Sequence, residues 1–335
     1  MSSSISISER RSLARTAASP PRRFCIAFAL AVTLVLLPIA AIDAWVDPYD
    51  LLGWNKIGIY VSNERLAKPI LIRNANYQTI IIGSSKVAAI SPADIPNTFS
   101  FNASFGAALP EEMAWFLDRY ARFGQAVAMG LDFYMFNENA FIPVAKDPFA
   151  EENRPSAIAY LIDINVLELS LHALTAHNWS HAEPLVLADG TRNQADDWAQ
   201  NNALSGYNYA RVLKTLRENH YHDIRYSTHR VEVLRDLKRE MTRRGVKLVT
   251  FINPLNVEVR ALIQKLGEAQ FQQFRRDMHE IFPDIYDLTG IEFSNRDLYY
   301  KHDPYHYKPA VGACFISQIL SGRRPVVPPR SPDNC

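Results

Sequence analysis

A serine pair led by glycine and a distant Asp-x-x-His sequence are the residues of this chain best suited to chemistry. Gly83-Ser84-Ser85 follows an apolar run directly, and Asp303 lies three residues before His306 near the other end of the chain. Serine is a poor nucleophile until a base takes its proton, and histidine titrates near neutral pH and can act as that base. A nearby aspartate can lie beside an imidazole nitrogen and fix its tautomer. The pattern predicts nucleophilic serine chemistry.

Strands and helices that alternate along the chain would position these residues. The apolar segments typical of strands are Thr79–Ile82, Phe99–Asn102, Ala126–Leu131, Val246–Ile252 and residues 284–286, and helical stripes lie between them. This alternation predicts an α/β fold, a three-layer α/β/α sandwich with a parallel sheet of the flavodoxin-like kind. Ligands of such sheets bind beyond the carboxyl ends of the strands, where Gly83-Ser84-Ser85 would lie. Either serine is a possible nucleophile, and alternation at the strand end sends Ser84 to the side opposite Ser85.

An uncharged segment of nineteen residues, Phe24–Ile42, follows Arg22 and Arg23. At about 1.5 Å per residue, a helix of this length approaches the hydrocarbon thickness of a bilayer. A cleaved signal peptide is the alternative, but its apolar region would be unusually long and no small-x-small cleavage site follows. We therefore expect an uncleaved single-pass anchor.

The charge of the chain is divided unevenly around this segment. The formal net charge is +1, yet the first 23 residues hold five arginines against Glu9, a charge of +4, which leaves −3 for the remainder. A basic flank on the amino-terminal side favours a cytoplasmic N-terminus and an exported body. The small net charge gives no reason to expect a nucleic-acid partner. The predicted location is therefore a membrane, with most of the chain on the exported side.

These patterns divide the chain into five parts. The predicted parts are a disordered cytoplasmic tail at 1–23, the anchor at 24–46, a membrane-proximal lead-in at 47–76, the α/β domain at 77–321 and a Pro-rich tail at 322–335. An insertion at about 140–228 interrupts the α/β domain, and we expect it over the edge or the active face of the sheet. In the lead-in, Arg65, Lys68 and Arg73 are expected on a solvated face, with binding of anionic head groups or glycans as the alternative.

Cysteines and histidines do not predict a metal site. The three cysteines lack metal-binding spacing, and Cys314 and Cys335 could form a disulfide in an oxidising compartment or remain two free thiols. A polar group that matches no standard metal pattern is expected to be solvated loop: His220, His222, Asp223 and His229. The motifs GxSxG, GxGxxG, GxxxxGK[ST] and HExxH are absent from the sequence.

Three segments resemble the conserved blocks of the SGNH (GDSL) hydrolase superfamily: IIIGSSKV, FNASFG and DPYHYKPAVG. Over residues 60–320 the chain looks most like the membrane-anchored bacterial relatives that take part in envelope acyl transfer, such as the alginate O-acetylation and lipoteichoic-acid D-alanylation proteins. The resemblance implies that Ser85 is the nucleophile and that Asp303 orients His306. It further implies an oxyanion hole formed by the backbone N–H groups of Ser85 and Gly106, and no cofactor. With the predicted anchor, it implies a location in the bacterial inner membrane, with most of the chain in the periplasm.

The third block departs from the pattern of that family. Where the family's G-x-N-D offers an asparagine to the oxyanion, Gly130-Leu131-Asp132-Phe133 places an aspartate. An ionised Asp132 aimed at an oxyanion would repel it. Either Asp132 points elsewhere, bonding backbone or orienting substrate, or Asn102 or Asn137 supplies the donor and contacts the substrate.

The expected activity is therefore that of a periplasm-facing serine acyltransferase or esterase. Its substrate would be the O-acyl groups, chiefly O-acetyl, of an envelope polysaccharide or other acylated glycan. The alternative, which Asp132 favours, is a non-catalytic scaffold or glycan-binding partner of a multi-pass membrane acyltransferase.

Overall fold

The computed structural model describes residues 20–55, 63–96, 98–140, 146–150, 156–175, 186–193 and 209–326. The predicted disorder of the amino-terminal tail falls outside these residues up to position 19, and so does the Pro-rich tail from position 327. The chain divides into two compact units, one of residues 1–57 with 155–177 and one of residues 58–154 with 178–335.

The first unit is built on one long helix, α1 (Pro20–Val46). Its segment Pro21–Val46 contains an 18-residue window with a mean hydropathy of 2.7 and is the one helix within the described residues that is long and apolar enough to cross a membrane. The predicted anchor at 24–46 therefore forms a helix that ends at the expected residue. The helix begins before the arginines, so that Arg22 and Arg23 lie in its first turn.

Two short helices, α5 (Ala157–Leu161) and α6 (Ile164–Thr175), pack in the same unit as α1. The Ser170 hydroxyl donates to Asp43 Oδ1 at 2.8 Å, and the Tyr160 hydroxyl donates to Asp47 Oδ1 at 2.9 Å. Both carboxylates are buried and need such donors. These two helices, which fall within the predicted insertion at 140–228, therefore belong to the unit of α1.

The second unit contains a five-stranded parallel sheet with the order β2-β1-β3-β4-β5. Its strands are β1 (Thr79–Ile82), β2 (Ser100–Asn102), β3 (Ala126–Leu131), β4 (Lys247–Ile252) and β5 (Tyr286–Asp287). The predicted α/β fold with a parallel sheet is confirmed. A separate antiparallel pair, β6 (Tyr299–Tyr300) and β7 (Asp303–Tyr307), was not expected from the sequence.

Both faces of the sheet are covered by apolar side chains. Along β1, Ile80 and Ile82 enter one buried cluster and Ile81 enters a second, as alternation in a strand requires. The helices of this unit are α2 (Glu64–Asn74), α3 (Ser85–Ala88), α4 (Pro110–Tyr120), α7 (Tyr209–Thr215), α8 (Thr228–Arg243), α9 (Val257–Ile281) and α10 (Pro309–Leu320). The strands are buried on both sides, which explains why β1 is a continuous apolar run.

The structure gives the bonding state of two of the three cysteines. Cys25 is a free thiol on α1, and Cys314 on α10 is disulfide-bonded. Cys335, the predicted alternative partner, lies outside the described residues.

A glycine, Gly83, lets α3 begin directly at the end of β1. A Cβ on Gly83 would lie 2.9 Å from Val87 Cγ2 and 3.1 Å from the Gly130 carbonyl oxygen, closer than ordinary packing permits. Ser84 is the N-cap of α3 and its side chain accepts from the Lys86 N–H at 3.2 Å. This close approach places Ser85 as the first residue of α3 at the carboxyl edge of the sheet.

Gly83→Ala is expected to lower the stability of the full chain by about 1–3 kcal/mol, because the added methyl group overlaps Val87. Val87→Ala in the same chain makes room, so the double variant should cost less than the sum of the two single variants. Thermal unfolding of the detergent-solubilised protein measures both effects. Gly290→Ala is the matched control, since the nearest neighbours of its Cβ would be the end atoms of the exposed and flexible Glu292 side chain, which can move aside. Strictly additive costs for the double variant would contradict this packing.

Candidate active site

The structure brings Ser85, His306 and Asp303 into one hydrogen-bonded chain. The Ser85 Oγ and His306 Nε2 atoms are 2.9 Å apart although the residues are separated by 221 positions. His306 Nδ1 lies 2.6 Å from Asp303 Oδ2. These are hydrogen-bonding distances for a nucleophile, a base and an orienting carboxylate.

Asp303 and His306 are the first and fourth residues of one short strand. Both belong to β7, and Asp303 Oδ1 accepts from the backbone N–H groups of Tyr305 at 2.7 Å and His306 at 3.2 Å. This local bonding turns the carboxylate back along the chain toward the imidazole. The spacing of three residues correctly indicated that Asp303 and His306 could meet. They meet because the Asp303 side chain bonds backbone N–H groups of its own strand.

The protonation of this chain follows from the surroundings of Asp303. Burial alone would raise the pKa of the Asp303 carboxyl group, but His306 and the two backbone N–H donors outweigh burial and lower that pKa below its ordinary value. An ionised carboxylate only accepts hydrogen bonds, so the proton on the imidazole resides on Nδ1. Nε2 is then the acceptor for the Ser85 hydroxyl, the arrangement that a general base requires.

One expected oxyanion donor, Gly106, is engaged elsewhere. Its N–H donates to Glu64 Oε2 at 2.6 Å, and its carbonyl oxygen accepts from Arg65 Nη1 at 3.0 Å. The expectation that Gly106 offers its N–H to an oxyanion is therefore not met in this structure, because a carboxylate already occupies that donor. The Ser85 N–H is different, since it is the first N–H of α3 and has no acceptor within the helix.

Asp132, the second expected oxyanion residue, is enclosed and neutralised. Lys86 Nζ lies 2.9 Å from Asp132 Oδ1, and both side chains are almost completely buried. Asp132 Oδ2 accepts from the Ser84 hydroxyl at 2.6 Å and from Asn253 Nδ2 at 3.0 Å. Both oxygens of the carboxylate thus have partners within the protein. Ser84 is committed to this carboxylate, which removes it as the alternative nucleophile.

Asn102 and Asn137, the predicted substrate-binding residues, hold the backbone together instead. Asn102 is fully buried, and its Nδ2 donates to the carbonyl groups of Val87, Ala88 and Ile90, while its Oδ1 accepts from the Ser104 N–H. Asn137 Nδ2 donates to two carbonyl groups and its Oδ1 accepts from two backbone N–H groups. All polar atoms of both amides are used, so the predicted substrate contacts are corrected to structural bonds.

A buried ionic cluster beside Gly106 was missed by the sequence analysis. Glu64 forms ion pairs with Lys68, at 3.6 Å, and with Arg192. Lys68 is fully buried, and burial lowers its pKa to about 8 although Glu64 opposes the change. The expected solvated face is therefore wrong for Lys68, and also for Arg65, which pairs with Glu112 at 2.5 Å. No spacing links Arg192 to residue 64, so no sequence signal could reveal the cluster.

His220 likewise departs from the expected solvated loop. It ends a π-helical turn, Leu216–His220, and its ring lies 4.8 Å from the Tyr134 ring and 5.7 Å from the Tyr305 ring. Burial lowers the pKa of His220 to about 4, although Asp132 opposes the change, so this side chain is neutral near pH 7. Within the described part of the chain, no group of three or more potential ligands could hold a metal ion.

Comparison with known proteins adds no assignment to this geometry. No protein-family model matches the sequence, and no curated protein matches it either.

Asp303→Asn is expected to flatten the acid dependence of stability. Because the folded-state pKa of Asp303 lies below its ordinary value, the carboxylate stabilises the fold above about pH 5, and this contribution is lost as pH falls through about 4 and below. Thermal unfolding of the full chain between about pH 6 and pH 3 should show a smaller decline in the variant than in the unaltered protein. Asp297→Asn, at an exposed position, is the matched control. Equal declines in all three proteins would show that the Asp303 carboxylate is not stabilised by its neighbours.

Proposed function

We propose that this chain is a membrane-anchored serine acyltransferase or esterase of the SGNH type. The observation that carries the proposal is the hydrogen-bonded chain from Ser85 through His306 to Asp303. A parallel sheet with both faces covered is compatible with the three-layer α/β/α arrangement of that superfamily, which is part of the proposal.

The reaction would proceed through a covalent acyl-serine. Ser85 Oγ attacks the carbonyl carbon of an ester while His306 Nε2 takes the hydroxyl proton, and Asp303 stabilises the imidazolium that forms. The Ser85 N–H, at the start of α3, donates to the oxyanion. The tetrahedral intermediate expels the alcohol, which takes the proton from His306.

A second nucleophile completes the cycle. A sugar hydroxyl or water gives its proton to His306 and attacks the acyl-serine, which forms the new ester or the free acid and releases Ser85, whose Oγ takes the proton back from His306. A sugar acceptor makes the protein a transferase and water makes it an esterase. The residues Ser85, His306 and Asp303 supply this chemistry without a cofactor.

The proposed substrate is an O-acylated, chiefly O-acetylated, polysaccharide of the bacterial envelope. The apolar helix α1 and the arginines that precede and begin it support an inner-membrane anchor with a cytoplasmic N-terminus. A disulfide at Cys314 is compatible with a periplasmic body, since disulfides persist in oxidising compartments.

A second candidate function is a non-catalytic scaffold or glycan-binding partner of a multi-pass membrane acyltransferase. The observation that favours it is the occupied state of Gly106 and Asp132, because Glu64 and Lys86 use the groups that would form the rest of an oxyanion hole. The intact contact between Ser85 and His306 favours catalysis, since a scaffold does not need it.

A fluorophosphonate probe is expected to label the full chain, in detergent micelles, on Ser85. Ser85→Ala should abolish labelling, and His306→Ala should slow it by a factor on the order of 10³ or more, because the base is lost. Ser91→Ala is the matched control, since this hydroxyl only caps a short exposed turn. In-gel fluorescence over time measures the rate. An unlabelled wild-type protein, or equal labelling of Ser85→Ala, would contradict catalysis and support the scaffold function.

A further inference from the structure

Two buried tyrosines flank the proposed base on its own strand. Tyr305 and Tyr307 precede and follow His306 on β7, and both side chains are buried. Because side chains alternate along a strand, these two point away from the side on which His306 meets Ser85. Each tyrosine is connected through one further side chain to the carboxylate of Asp132.

The first connection runs through hydrogen bonds from Tyr307. Its hydroxyl donates to Asn253 Oδ1 at 3.0 Å, and Asn253 Nδ2 donates to Asp132 Oδ2 at 3.0 Å. Asn253 is itself fixed, since its N–H donates to the Leu131 carbonyl oxygen at 2.9 Å. The carboxyl-terminal side of His306 is thereby tied to the ends of β3 and β4.

The second connection runs through a cation–π contact from Tyr305. Lys86 Nζ lies 4.3 Å from the centre of the Tyr305 ring and 2.9 Å from Asp132 Oδ1. The same ring meets the His306 ring edge-on, with centroids 5.0 Å apart. Lys86 follows Ser85 on α3, so this contact joins the helix of the nucleophile to the strand of the base.

A buried ion pair is a poor device for stability alone. Taking two charges out of water costs free energy that their attraction only partly returns, and apolar residues of similar size often serve stability as well. What the ion pair provides here is a fixed connection between separate elements of the fold. Three donors converge on Asp132 from Ser84, Lys86 and Asn253, and together they connect α3, β3, β4 and β7.

We propose that Lys86 and Asp132, acting through Tyr305 and Tyr307, form a positioning unit that holds His306 against Ser85. This inference rests on the proposed serine chemistry and assigns a use to the aspartate that replaces the expected asparagine. None of the four residues contacts the reacting atoms in this account. Their effect is on the geometry of the serine–histidine contact, where a displacement of 1 Å can cost on the order of a hundredfold in rate.

The two tyrosines offer a matched test, because the same atom can be removed on each side of His306. Within the described residues the Tyr305 hydroxyl has no hydrogen-bond partner, whereas the Tyr307 hydroxyl bonds Asn253. Tyr307→Phe is expected to lower the maximal rate of fluorophosphonate labelling by about tenfold to a hundredfold, with the half-saturating probe concentration unchanged. Tyr305→Phe keeps the ring over Lys86 and should change the rate by about twofold at most, whereas Tyr305→Leu should behave like Tyr307→Phe.

The ion pair is tested by a double-mutant cycle on the full chain. Lys86→Met leaves the Asp132 carboxylate without its cation, and Asp132→Asn leaves the Lys86 ammonium without its anion, so each single variant should lose at least about tenfold in maximal labelling rate. The variant with both substitutions has no uncompensated charge and should label faster than either single variant. Circular dichroism and thermal unfolding confirm that each variant is folded at the assay temperature.

The outcomes separate this inference from the proposed function. A wild-type protein that does not label contradicts the serine chemistry itself. A labelled wild type with equal rates for Tyr307→Phe and Tyr305→Phe, or a double variant as slow as the product of the two single effects, contradicts the positioning unit alone. Lower thermal stability in the folded variants with unchanged maximal rates would show a purely structural role.

Discussion

A carboxylate buried at the end of the central strand is the constraint on which the rest of the site depends. Asp132 follows β3 and is 3% exposed, so its charge must be met by donors inside the protein. Ser84 and Lys86, from the start of α3, and Asn253, which follows β4, meet it. Neutralising one charge therefore fixes the start of α3, the end of β4 and, through Tyr305 and Tyr307, the strand that carries His306.

The same constraint explains why the aspartate and Lys86 belong together. A lone aspartate in this position would place a negative charge beside the proposed oxyanion, and a lone buried lysine next to Ser85 would be equally costly. As an ion pair their charges compensate one another, and Lys86 directly follows Ser85 in the chain. The cost is that this site has one clear oxyanion donor, the Ser85 N–H, while the Gly106 N–H is held by Glu64.

Much of the sheet and the three proposed catalytic residues could be predicted from the sequence, because these signals are local. Thr79–Ile82 is a continuous apolar run that suits a strand buried on both faces, and the glycine after it marks the turn into Ser84 and Ser85. The spacing of Asp303 and His306 is compatible with direct contact in several backbone conformations. The strand β7 could not be predicted, since only pairing with β6 makes it a strand.

Several of the corrected residues have partners that lie far away in the chain. Glu64 reaches Gly106 across 42 positions and Arg192 across 128, and Asn137 bonds carbonyl groups of residues 220 and 222. Polar type alone marks Asn102 and Asn137 as possible ligands of a substrate, but burial and bonding decide that they hold loops. Similarly, Asp43 and Asp47 gave no sign that Ser170 and Tyr160 would bond them and bring α5 and α6 into the unit of α1.

The central claim is that Ser85 becomes acylated with His306 as its base. Mass spectrometry of the full chain after brief reaction with p-nitrophenyl acetate at low pH, where the acyl-serine persists, tests it most directly. The account predicts one acetyl group on the peptide that contains Ser85, located on Ser85 and not on Ser84, and none in the His306→Ala variant. Acetylation absent from Ser85 while the ester is still consumed, or present equally without His306, would contradict the account.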